Sequence, residues 1–279
     1  MPRLIADSGS TKTDWAIVEG GVCVGRVQTC GFNPYMQSTD EMVSCMLDSA
    51  LKQIAAGGVE SVCFYGAGCT AGEKSESVGM ALKAVLGTLC TVEVHSDMVG
   101  AARALCGREE GIACILGTGS NSCLWDGHAI AQNVPPLGFI LGDEGSGAHL
   151  GKLLIGNVLK SQMPPEIASA LLEELGMDTA AIIERVYRQP FPNRWLASLS
   201  PFIARHLHSQ AVRNMAGEAF TAFLSRNVMN YGRKDLPINL IGSVAFHYRE
   251  LLKEAAEKLG LTIGIIAQSP MEGLIEFHK

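Results

Sequence analysis

The sequence predicts an α/β protein of two domains, each built on a mixed sheet, with a ligand cleft between them. Three observations carry this. A strand-turn-strand-turn-strand unit opens the chain, the same unit begins again after residue 107, and each is continued by alternating helices and strands. A length of 279 residues suits two domains at roughly 100–200 residues each.

The first unit has strands expected at 4–7, 14–19 and 22–28, joined by a glycine-rich turn and then by Gly20-Gly21, a hairpin signal. From Asp40 the apolar residues Val43, Met46, Leu47, Ala50, Leu51 and Ile54 keep the three-and-four spacing of one helix, which Gly57-Gly58 stops. A strand at 61–65, a helix at 73–86, a strand at 91–95 and a short helix at 98–105 complete a first domain of residues 1–107. After Gly107-Arg108-Glu109-Glu110 the pattern restarts with strands at 112–116 and 122–125 around a second glycine-rich turn, then Asp126-Gly127. This second domain, 108–279, receives a helical insert at about 146–230, then a strand at 238–241, a helix at 245–259, a strand at 261–267 and a terminal helix.

Composition excludes several classes. Hydrophobic residues at 47% and charged residues at 18% describe a packed chain rather than a disordered one. The net charge of −6 and the lack of any basic cluster argue against nucleic acid as partner. No apolar run approaches the ~18 residues of a membrane span, and the start lacks signal-peptide character, so the expected location is the cytosol. The nine cysteines include no Cys-x-x-Cys pair, and Cys63 and Cys114 lie in apolar runs. They are expected to be reduced structural thiols.

The chemistry concentrates at turns. DSGSTKTD, residues 7–14, sets Asp7 at the end of a buried strand and follows it with Gly9, Ser10, Thr11, Lys12 and Thr13. Their backbone amides can approach a polyphosphate, and Asp7 is a hard oxygen ligand, a combination suited to Mg²⁺-ATP. An ordinary hairpin would read the same way. LGTGSNS at 116–122 offers Gly117, Thr118, Gly119 and Ser120 as a second cradle at the matching position of the other half. Neither turn is a Walker A loop, since each leads into a strand, and GxGxxG is absent. LGDEGSG at 141–147 sets Asp143 and Glu144 between glycines, able to grip sugar hydroxyls or to cap a helix. Asp97 follows a strand and precedes a helix, at the edge where α/β folds keep reactive groups; it is a candidate general base, with helix capping as the alternative. His95 should point to the other side of that strand. Gly242-Ser243, between a buried strand and a helix, can pack on a flat adenine ring or simply connect the two.

Taken together, DSGSTKTDWAIV, GFNPY, HSDMVGAARA, GTGSN, GDEGSG and IGSVAFHYRELL resemble the N-acetylglucosamine kinase branch of the BadF/BadG/BcrA/BcrD ATPase family, within the actin/hexokinase/Hsp70 superfamily. The match runs in order along nearly the whole chain. The resemblance implies two ribonuclease H-like, actin-like ATPase domains and transfer of phosphate from ATP, with Mg²⁺, to an amino sugar such as N-acetylglucosamine. It implies phosphate contacts at Asp7, Gly9 through Thr13 and Gly117 through Ser120, adenosine contacts at Gly242 and Ser243, sugar contacts at Asn33, Asn121 and Asp143, and Asp97 as catalytic base. The loop at 66–72, where relatives shape the acetamide pocket, does not align clearly. Other branches activate radical dehydratases through an iron-sulfur cluster, and a non-catalytic sugar sensor would keep the same cleft; the lack of paired cysteines and the presence of Asp97 favour the kinase. Leu171, Leu172, Ile182, Ile183 and Phe220 in the insert suggest an apolar face for a homodimer.

Overall fold

Leu4, Ile5 and Ala6 are all fully buried, which marks their strand as one covered on both faces. It is β1 (Arg3–Ser8), followed by β2 (Lys12–Glu19) and β3 (Val22–Cys30) in antiparallel order, and by β4 (Ser61–Gly66) and β5 (Thr91–Ser96) in parallel order on its other side. The sheet order is β3-β2-β1-β4-β5. The computed structural model describes residues 2–9, 12–32, 34–35, 37–69 and 72–279.

Strand periodicity sorts the side chains of this sheet. Leu4, Ala6, Val62 and Phe64 face a core shared with Trp15, Phe32, Met42 and Met46, beneath α1 (Thr39–Leu47), α2 (Leu51–Ala56) and α3 (Glu73–Leu86). Ile5, Ala16, Cys63 and Tyr65 face the opposite way, onto Met271, Leu274 and Ile275 near the end of the chain. The helix α4 (Asp97–Cys106) lies on that second face as well.

Two expectations change here. The single helix expected from Asp40 is two, because Ser49 turns its hydroxyl onto the Met46 carbonyl (2.6 Å) and accepts the Leu51 amide (3.2 Å), competing with the helical ladder. Cys30 and Cys45, expected as free thiols, form a disulfide between the end of β3 and α1, with Cα atoms 6.5 Å apart. The tertiary packing of that helix, invisible in local sequence, brings them within bridging range.

The second sheet repeats the first. β6 (Glu110–Leu116), β7 (Ser120–Asp126) and β8 (Ile130–Gln132) run antiparallel, and β9 (Ile238–Ile241) and β10 (Ile263–Ala267) add in parallel, giving β10-β9-β6-β7-β8. Between β8 and β9 lie α5 (Gly138–Leu141), α6 (Gly147–Leu159), α7 (Pro165–Leu175), α8 (Thr179–Tyr187), α9 (Pro192–Ala197), α10 (Ser200–Arg205) and α11 (Gln210–Arg226). Leu171, Ile182 and Phe220 are buried in this unit's own core, so they are not the partner-binding face the sequence suggested; Ile183 alone of the five is well exposed. The helix expected at 245–259 is α12 (Ser243–His247) and α13 (Arg249–Lys258), broken at Tyr248, whose buried ring donates its hydroxyl to the Ser200 carbonyl at 2.6 Å.

The chain therefore forms two compact units, Met1–Glu109 with Gly127–Ala129 and Ser269–Lys279, and Glu110–Asp126 with Ile130–Gln268. The terminal helix α14 (Met271–Phe277) packs on β1, β2 and α4 of the first unit, so a division at 107/108 leaves out this return. No helix among the described residues is long and apolar enough to cross a membrane.

Candidate active site

In the first unit Asp7 pairs with Asp14 across β1 and β2, just before the glycine-rich turn. Gly9 closes that turn by donating its amide to the Lys12 carbonyl at 3.0 Å. Thr13 is fully buried: its hydroxyl donates to the Cys30 carbonyl (2.9 Å) and so accepts from Ser8, 2.7 Å away. Ser8 in turn accepts the Phe32 amide at 3.0 Å and its carbonyl receives the Ala67 amide at 3.0 Å. These bonds fasten the turn to the loops that follow β3 and β4. Lys12 pairs with Asp14 at 2.9 Å on the surface. Ser10, Thr11 and Asn33, expected in the phosphate and sugar sites, lie outside the described residues, as do Thr70 and Ala71 of the 66–72 loop.

Asp97 begins α4 directly after the parallel strand β5. The helix cap is supplied by its neighbour, since Ser96 accepts the Val99 amide at 3.3 Å. The Asp97 carboxyl accepts the Met98 amide through Oδ1 at 2.8 Å and a further bond from its own backbone N–H. Burial raises its pKa above the ordinary carboxylate range, and its charge is felt by Asp7. Asp7 itself is pushed up to about 7, by burial first and then by repulsion from Asp14 and Asp97, with Lys12 opposing. His95 pairs with Glu93 at 3.4 Å and stacks on Tyr65, apart from this carboxylate group.

The raised pKa of Asp7 has a sign that can be measured. A carboxyl raised in the folded state favours folding while protonated, and that contribution is lost as pH rises from 3.8 through about 7. Asp7→Asn is expected to stabilise the protein at pH 8 by on the order of 2 kcal/mol, allowing for water screening, or a rise in Tm of roughly 5 °C. The gain should fade by pH 4. A lower Tm for the variant at pH 8 would contradict the assignment of an uncompensated buried charge.

In the second unit the GTGS turn receives the start of α6: Gly117 and Thr118 carbonyls accept the Gly147 and Ala148 amides at 2.8 and 3.1 Å. The Asp143 carboxylate accepts the Ser120 amide, and a Cβ built on Gly119 would lie 3.0 Å from Asp143 Oδ2, so glycine is what lets that carboxylate approach. Burial lifts the Asp143 pKa to about 6. Asn121 Oδ1 accepts the Ser122 amide and the Asn133 side chain, both at 2.9 Å. Gly242 (φ 118) lies against the Leu116 carbonyl group, where a Cβ would be 2.8 Å from its carbon, and exposed Ser243 begins α12. Gly117, Thr118, Gly119, Ser120, Asp143 and Gly242 thus gather around the end of β6, although the sequence spreads them over three separate segments.

The chain is similar to solved structures along its whole length. It shares 56% identity with a Porphyromonas gingivalis protein provisionally named an N-acetylglucosamine kinase, with 99% of this chain and 98% of that one covered and a TM-score of 0.94. The chain belongs to the N-acetylglucosamine kinase-like branch of the BadF/BadG/BcrA/BcrD ATPase family. As a member of that branch it is an ATP-dependent sugar kinase built on two ribonuclease H-like domains of actin-like type. A Chromobacterium violaceum protein with the same provisional name shares this fold at 18% identity, 100% and 99% coverage and a TM-score of 0.72. The ROK hexokinase of Thermus thermophilus does so at 16% identity, 99% and 98% coverage and a TM-score of 0.52. No protein-family profile and no curated protein matches the chain.

Residues of this kinase that local reasoning passed over include Ser8 and Ser96, which organise the two halves of the first unit's site, and His149 and Arg226 around Asp143. Only Ser146 carried a signal, as a capping residue three positions before His149.

Proposed function

We propose that this kinase transfers the γ-phosphoryl group of ATP to the 6-hydroxyl of N-acetylglucosamine, with Asp97 as general base. The observation that carries the reading is a recessed carboxylate of raised pKa at the end of a parallel strand, in a chain alike end to end with a protein provisionally named an N-acetylglucosamine kinase. A base of raised pKa is the better proton acceptor near neutral pH.

Phosphoryl transfer needs alignment and charge neutralisation more than covalent help. The Asp97 carboxylate takes the proton of the attacking hydroxyl. Gly9 through Thr13 and Gly117 through Ser120 offer amides to the phosphates, Gly242 and Ser243 lie beside the adenosine, and Asn33, Asn121 and Asp143 hold the sugar. Asp7 is the residue that would hold Mg²⁺. The chemistry of its surroundings fits a cation, because Asp7 is recessed among like charges from Asp14 and Asp97 that a divalent ion would relieve. Bound there, Mg²⁺ would neutralise charge on the transferring group.

The test is an ATP-coupled assay across N-acetylglucosamine, N-acetylmannosamine, N-acetylmuramic acid, glucosamine and glucose, with product position read by NMR. N-acetylglucosamine should give the highest kcat/KM, with phosphate on carbon 6. A higher kcat/KM for any other sugar, or phosphate on another carbon, would sink the substrate assignment.

A further inference from the structure

Asp143 is held in an unfavourable backbone state. Its φ of 53 lies in the left-handed region, and Gly145 two residues on has φ 71. Such a conformation persists only where the surroundings over-determine it. Part of the restraint is local: the Asp143 amide donates to the Pro136 carbonyl at 3.0 Å, and its own carbonyl accepts the Ser146 amide at 3.1 Å. The rest comes from side chains that the phosphoryl-transfer scheme leaves unused.

Gly145 donates its amide to His149 Nδ1 at 3.1 Å, while the His149 amide is capped by Ser146 Oγ at 3.1 Å. With Nδ1 accepting, the imidazole proton sits on Nε2. Glu144, nearly buried, pairs with Arg226 Nε of α11 at 2.9 Å. Lys152, one turn beyond His149, ties α6 to α5 through the Phe139 carbonyl at 3.0 Å. On its remaining side Gly145 is pressed against Phe223, Phe220 and the Ala219 carbonyl of α11. The turn is gripped from two helices.

We infer that His149 and the Glu144–Arg226 pair are positioning groups for the sugar-binding carboxylate, fixing the turn at 143–146 so that Asp143 stays against Gly119 and Ser120. This rests on the reading of Asp143 as a sugar contact. The charged groups that face His149 are Glu144, Lys152 and Arg226, and Glu218 of α11 lines the same groove. Burial first and then Lys152 lower the His149 pKa, which keeps Nδ1 free to accept. Protonation there would set one N–H against another.

His149→Ala removes the acceptor, whereas His149→Asn keeps one near the Nδ1 position. The alanine variant is expected to raise the sugar KM about tenfold, the scale of one buried amide left unpaired. Its KM for ATP should stay within about twofold, and the asparagine variant should return the sugar KM to within about threefold of wild type. Amide hydrogen exchange at Gly145, which needs no substrate, should be about tenfold faster in His149→Ala and near wild type in His149→Asn. Unchanged exchange and unchanged sugar KM in the alanine variant would overturn the inference, as would equal rises in both KM values or no rescue by asparagine. If the wild type phosphorylates no sugar while exchange still separates the variants, the clamp stands and the substrate reading fails.

Discussion

Asp97→Asn is expected to lower kcat by at least ~100-fold with the preferred sugar, the scale of a lost general base. The substitution is close to isosteric, and the amide oxygen can still accept the Met98 backbone N–H that Oδ1 accepts now. The start of α4 should survive, because Ser96 caps it. The variant should therefore melt no lower than wild type and bind both substrates, so the deficit would lie in the chemical step alone. Steady-state kinetics with a melting curve on the same preparation decide it. Turnover within about tenfold of wild type would remove Asp97 from the reaction.

The largest structural effect is expected from Gly242→Ala. A Cβ at this position collides with the Leu116 carbonyl oxygen and lies 2.8 Å from its carbon, and neither atom can move without shifting β6 and the phosphate turn behind it. The backbone adds its own penalty, since φ 118 is a glycine conformation. Together these should cost at least ~3 kcal/mol and lower Tm by roughly 10 °C. ATP affinity should fall as well, because the amide of Gly117 lies 3.4 Å from the same intruding atom. An alanine variant with wild-type Tm and ATP KM would mean that the turn has slack this packing denies.

Much of the architecture was legible because it is written in short-range chemistry. The apolar runs of β1 and β6 and the glycine turns after each gave the duplicated sheet, and the two sheets do share one strand order, with β6 in the place of β1. The gathering of GTGS with Asp143 was legible only as a resemblance, since the contact of Gly119 with a carboxylate two dozen residues on depends on how α6 docks against the turn. What local reasoning could not reach was set by tertiary partners. Ser49 and Tyr248 break helices whose apolar spacing continues straight through them, one by a bond to its own turn and the other by a bond to Ser200. Cys30 and Cys45 meet because α1 packs at the end of β3. Arg226 finds Glu144 across the whole insert, a pairing that charge patterning along one helix cannot announce.

The return of α14 carries a consequence for biogenesis. Met271, Leu274 and Ile275 fill a core whose other members include Ile5, Ala16 and Tyr65, which leave the ribosome well before them. The opening sheet must wait with that face covered by α4 alone while everything between is synthesised, whereas the other unit has nearly all its material in one stretch. The core that holds Ile5 is thus completed only after the residues of the other unit have been made.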